Sequence, residues 1–144
     1  MRVPINVRLW LSVSIAVFIV SSALWFLESR LVLWPLFDPT ASSAPRPENI
    51  WVLRFWAYLG RLIFSLAFVL IFAGGYKGKP GVGEGLRFGL LLGALLHLPS
   101  LLINIPLTSQ PETGYLITRC ILDIVQVVLL GVLANIGYRP PQTS

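Results

Sequence analysis

The chain is poor in charge. Only 12% of its 144 residues are Asp, Glu, Lys or Arg, about half the share of a soluble domain. So few charges cannot clothe a water-facing surface, which excludes an ordinary soluble globule. Cysteine is equally scarce. Cys120 is alone, so no internal disulfide can form. One histidine, His97, and one cysteine are too few soft ligands for a metal centre, and neither a metal nor another cofactor is expected. Catalytic signatures are missing as well. There is no Gly-x-Ser-x-Gly and no Gly-Lys-Ser/Thr, and no pair of aspartates sits at an aqueous boundary. Gly81-x-Gly83-x-Gly85 lacks dinucleotide spacing and a preceding strand. The expectation is a protein that is not an enzyme. The net charge of +5 raises nucleic acid as a partner, but the basic residues flank apolar runs and form no phosphate-tracking stripe. Nucleic acid is not expected.

What is abundant is apolar length. Hydrophobic residues make up 56% of the chain, and the mean hydropathy is +0.78. They gather in four runs, at about 9–27, 51–73, 86–105 and 115–137. The first, Leu9 to Leu27, carries no charge. As a helix it spans about 28 Å, close to a bilayer core. Ser21-Ser22-Ala23 resembles a signal-cleavage site, but the run continues through Trp25, Phe26 and Leu27, beyond a usual signal core. The run is expected to be a retained span. The longest connection, 28–50, begins aromatic (Trp34, Phe37) and ends turn-rich, from Asp38 to Pro47. Gly74-Gly75 and the glycines up to Gly85 make a short flexible turn; Pro106 and Arg139-Pro140-Pro141 mark later exits.

Orientation follows from the basic residues. Arg2, Arg8, Lys77, Lys79, Arg87 and Arg139 fall on one side, and Arg30, Arg46, Arg54 and Arg119 on the other. The larger group belongs inside, giving N-in and C-in. Aromatic belts agree with four spans: Trp10, Tyr76 and Tyr138 on one side, Trp25, Trp34, Trp51 and Tyr115 on the other.

Charges interrupt the spans. Counted inward from the outer ends, Arg61, His97 and Asp123 lie roughly 12–15 Å deep, on three different helices. Arg119 precedes Asp123 by four residues and can pair with it; Arg54 and Arg61 are two turns apart on one face. A buried charge is costly unless paired or wetted. One reading is an ion-pair network, Asp123 with Arg61 or Arg119 and Glu28 with Arg54, acting as glue between helices. The other is an outward polar pocket of Arg54, Arg61, His97, Arg119 and Asp123, whose excess positive charge suits an anion or lipid headgroup. A proton path through His97 and Asp123 would need relays, with Gln126 and Asn135 the remaining candidates.

Gly85, Gly89 and Gly93 recur every four residues. They form one smooth helix face for close approach by another helix, either within the chain or across a homodimer. Glu84 suits the positive end of the helix dipole, and Arg87 can snorkel to lipid phosphates.

The stretch Gly83-Glu84-Gly85-Leu86-Arg87-Phe88-Gly89, preceded by Gly74-Gly75-Tyr76-Lys77-Gly78, resembles a signature of small uncharacterised bacterial four-span integral membrane proteins. Pro45-Arg46-Pro47-Glu48 extends the likeness. The resemblance implies a four-helix membrane fold and brings neither activity nor catalytic residues.

The expected fold is therefore all-α: one transmembrane domain over residues 1–144, an integral membrane four-helix bundle, N-in/C-in, with a long outer loop between helices 1 and 2. The expected setting is the bacterial cytoplasmic (inner) membrane. The expected role is structural or accessory, as a homo-oligomer or a subunit of a larger complex among membrane lipids. The alternative is a transporter or anion/lipid-headgroup-binding bundle.

Overall fold

Each apolar run becomes a helix whose ends follow from its local sequence. The computed structural model describes residues 6–33, 50–76, 82–107 and 110–138. Helix α1 covers Val7–Leu27. Asn6 caps it, its side-chain oxygen accepting from the Leu9 N–H at 3.2 Å. At the other end the Glu28 N–H is shared between the Leu24 and Trp25 carbonyls, and the chain widens into a π-helical turn, Glu28–Leu33. Helix α2 covers Ile50–Gly75. Helix α3 covers Gly83–Asn104, stays helical through Pro99, and tightens into a 3₁₀ turn at Ile105–Leu107. Helix α4 covers Gln110–Gly137. All four contain segments long and apolar enough to cross a membrane, the architecture of a small polytopic membrane protein. The rest of the connection between α1 and α2, with Trp34 and the Pro45–Glu48 element, lies outside the described residues, as do Arg2, Lys77, Lys79 and Arg139.

Two helices start earlier than their apolar runs suggest. Helix α3 takes in Gly83, Glu84 and Gly85: the glutamate favours a first turn, and Gly85 is needed against a neighbour. Helix α4 starts at Gln110, where Pro111 occupies the first turn and loses no internal hydrogen bond.

The helices run up and down. The end where α1 begins and α4 finishes is termed basal, the opposite end distal. The most extensive contact is α3 against α4, followed by α1 against α2 and α1 against α4. Glycine makes the first possible. A Cβ on Gly89 would lie 2.6 Å from Val128 Cα and 2.7 Å from the Val127 oxygen, and one on Gly93 would lie 3.3 Å from Ile124 Cα. Gly85 meets Gly131 of α4 just as closely. The seam is therefore glycine on both sides, backbone against backbone.

The apolar core lies at or below the middle of the helices. Val13 and Val17 of α1, Phe68, Val69 and Phe72 of α2, and Val127, Leu130 and Ala134 of α4 form it. Phe88 is the key from α3, edge-on to Phe68 and Phe72 with centroids 5.2 Å apart in both cases. Tyr76 meets Tyr138 edge-on at 6.0 Å, closing the basal end. Trp10 adds an indole N–H bond to the Leu66 carbonyl at 3.3 Å. Such ring pairs each give about 0.5–1.5 kcal/mol beyond burial.

Candidate functional site

The distal half is held differently. Few large apolar side chains close there: Trp51, Phe55 and Trp56 of α2 are all exposed. Polar groups bridge the helices instead. Arg61 of α2 donates from Nη1 to the Ser21 carbonyl of α1 at 3.2 Å, and its guanidinium lies 4.3 Å from the Trp25 ring centroid. Gln126 of α4 donates from Nε2 to the same Ser21 carbonyl at 3.3 Å. A single carbonyl, with two lone pairs, thus gathers three helices. Ser65 and Ser21 return their own hydroxyls to helix carbonyls, Arg61 and Phe18 respectively.

This differs from the charge pairing expected of Arg61. Its direct partners are neutral: a carbonyl and an indole face. Guanidinium is weakly hydrated and flat, so it suits both. The expected Glu28–Arg54 pair is also replaced. Arg54 is exposed and lies over its own helix's Trp51, 5.2 Å from the centroid.

Asp123 finds other partners. Its Oδ2 lies 3.5 Å from His97 Nδ1 across the α3/α4 seam and 3.8 Å from Arg119 Nε on its own helix. The second distance is an ion contact, too long for a hydrogen bond. Arg119 also donates to the Tyr115 hydroxyl at 3.1 Å. Side-chain exposure is 25% for Asp123, 30% for His97 and 48% for Arg119. These contacts are open to the side of the bundle and are not sealed within it.

A cavity of about 340 Å³ lies there, lined by His97, Ser100, Asn104, Arg119, Cys120 and Asp123. Asn104 donates from Nδ2 to the Ser100 carbonyl at 2.7 Å, which orients its amide on the rim. The five proposed site residues therefore divide. His97, Arg119 and Asp123 share this groove, Arg61 sits in the α1/α2/α4 junction, and Arg54 faces outward.

No family model, curated protein or solved structure matches this chain. What the site can do follows from its own geometry.

Depth is the first part of that geometry. Helices α2 and α4 have 26 and 28 residues, or about 39 and 42 Å against a core of about 30 Å. They overhang the core, so counting inward from their tips overstates depth. Counting from the basal aromatics gives a better measure. Arg119 lies 19 residues before Tyr138, about 28 Å away, and so reaches the distal core boundary. Asp123 and Arg61 lie 15 residues from Tyr138 and Tyr76, about 22 Å away and over one turn deeper.

Two polar stripes extend the Arg119–Asp123 spacing. Tyr115, Arg119 and Asp123 recur every four residues along α4, and His97, Ser100 and Asn104 follow steps of three and four along α3. A third is Ser14, Ser21 and Glu28 at intervals of seven on α1, all three buried. Glu28 thus points into the bundle. It follows the last residue of the α1 span. Burial pushes its carboxyl above the ordinary carboxylate value; the Asp123 charge adds to this, while Arg119 and Arg61 oppose it. Among the described residues no three His, Cys, Asp or Glu side chains converge as metal ligands would.

Proposed function

We propose that this chain is a non-enzymatic accessory protein of the bacterial cytoplasmic membrane, N-in and C-in, serving as a subunit of a larger complex. The observation carrying this reading is the asymmetry of the bundle. The basal half has its own apolar core. The distal half has polar bridges and a groove whose charged side chains remain partly uncovered. Asp123 lies below the core boundary, where lipid chains cannot solvate it. Polar groups of a second membrane protein would cover it. The Gly83–Gly89 motif fits a scaffold role, since Glu84 opens α3, Gly85 and Gly89 seat it on α4, and Phe88 locks it to α2.

The test is purification in mild detergent after crosslinking in the membrane. A second protein should co-purify in fixed ratio from wild type and be lost from Asp123→Asn and Arg119→Gln. Repeated recovery of the chain by itself would sink the proposal.

The groove around Arg119 and His97 also favours a second reading, a pocket for an anion or lipid headgroup. Its weakness is charge. Arg54 and Arg61 do not line it, and Asp123 offsets Arg119. Under this reading an anionic lipid should raise thermal stability, and Arg119→Ala should abolish the rise.

A further inference from the structure

A second groove lies on the other side of α4, between it and α1. Leu24, Leu27, Leu122, Val125 and Leu129 make its apolar walls; Glu28 and Gln126 are its polar members, and Gln126 is turned to the Ser21 carbonyl. Glu28 is 8% exposed. It makes no ion pair at 4 Å or less and no side-chain hydrogen bond with any described residue. The residue is largely covered but its carboxylate opens onto the groove, and a charge in apolar walls is costly unless a donor reaches it there. Among the described residues, the cationic groups whose charge acts on it, Arg119 and Arg61, are engaged with Tyr115, Asp123, Ser21 and Trp25.

Depth says what could satisfy it. Glu28 lies 18 residues past Trp10 along a continuous helix, about 27 Å, almost a full core thickness. It therefore meets the distal headgroup layer. The walls run inward from it toward Leu24 and Leu129 at acyl-chain depth. A ligand matching both features has a hydrogen-bonding cation at the interface and an apolar chain hanging from it.

We propose that the α1/α4 groove binds a phospholipid with a primary-ammonium headgroup, the ammonium on Glu28 and one acyl chain along Leu24, Val125 and Leu129. The ammonium supplies both the charge and the N–H donors that the carboxylate lacks. A choline headgroup carries the same charge without a donor. A glycerol headgroup has hydroxyl donors but leaves the lipid with net negative charge. Selectivity among the three therefore reads the contact directly.

The test uses the full chain in vesicles of equimolar phosphatidylethanolamine, phosphatidylcholine and phosphatidylglycerol with identical acyl chains. Lipid retained after gentle release is identified by native mass spectrometry. Wild type should retain the ethanolamine lipid about tenfold over each of the others, the size one charge-assisted hydrogen bond gives. In Glu28→Gln the three should come within about twofold of equal. Val125→Trp fills the groove, leaves the carboxylate in place, and should release the ethanolamine lipid. Equal retention of all three headgroups by wild type, meaning an acyl groove only, would overturn the proposal. So would an ethanolamine preference that survives in both variants.

Discussion

Replacing Gly89 by alanine adds one methyl group and tests the α3/α4 seam. That methyl would lie 2.6 Å from Val128 Cα and 2.7 Å from the Val127 oxygen. Both are backbone atoms, and ordinary carbon contacts begin near 3.5 Å. No side chain can rotate away, so the helices must part by about 1 Å. Overpacking of this kind costs about 1–3 kcal/mol. Alanine at Gly60 meets nothing within 4 Å and gains up to about 1 kcal/mol in helix propensity. The two variants should therefore differ by about 2–4 kcal/mol. Gly93→Ala, with contacts at 3.3 Å, should fall between them. Cys120 provides the assay. It is buried on α4 and lines the α3/α4 groove, so a maleimide reaches it when α3 lifts away. Labelling is followed across a series of SDS fractions in mixed micelles. The midpoint should fall in the order Gly60→Ala, Gly93→Ala, Gly89→Ala. Equal midpoints for Gly60→Ala and Gly89→Ala would refute the close seam.

Three other substitutions probe the rest of the bundle. A double-mutant cycle of Arg61→Met and Trp25→Leu should give a coupling of about 1 kcal/mol in unfolding midpoints, from the cation over the ring at 4.3 Å; additive effects would show that the stack contributes nothing. Phe88→Ala removes both ring contacts between α3 and α2 and should cost about 2–4 kcal/mol in the same assay, with Phe88→Leu recovering at least half. Glu28→Gln should change the pH dependence of stability, with the sign fixed by the raised carboxyl pKa. The folded bundle keeps the proton after the unfolded chain has lost it, so stability is greatest below the ordinary value of 4.5 and declines as pH rises through the raised one. The variant, which has no such decline, should melt above wild type near pH 8 and converge with it below pH 4.5; parallel curves in lipid-free detergent would contradict the uncompensated carboxyl.

The parts of this fold that were legible in the sequence are those set by long-range averages. Four apolar runs suffice for four helices, because each must satisfy its own backbone hydrogen bonds in lipid. The glycine spacing announced a close approach but not its partner. Any of the three other helices, or a second copy of the chain, could have met Gly85 and Gly89, and the fold brings Gly131 of α4 against them. Charge matching was less informative still. It offered Asp123 either Arg61 or Arg119 and gave Glu28 Arg54, on the premise that a charge at membrane depth seeks its opposite; of these only Arg119 lies within ion-contact distance of Asp123. Arg61 instead takes a carbonyl and an indole, neutral groups that no charge count reveals. The better guide to Glu28 was its phase, since a helix residue seven places beyond Ser21 shares its buried face.

That phase also explains why the distal half stays open. The heptad that makes apolar core in the basal half of α1, through Val13 and Val17, continues distally with Ser21 and Glu28. On α2 the face that presents Phe68 and Phe72 presents Arg61 one step earlier and Arg54 beyond it. Polar side chains at these positions cannot replace apolar packing, because each needs a donor or acceptor as well as volume. Arg61 and Gln126 meet that need within the chain, at one carbonyl of α1. Arg54, one heptad beyond Arg61, is not drawn into the bundle and turns outward. Glu28 is turned toward the α1/α4 groove and has no direct side-chain partner among the described residues. A chain selected only for a stable four-helix bundle would gain by an apolar residue at that place. The ammonium proposed for the α1/α4 groove would supply the charge and the donors that this carboxylate lacks among the described residues.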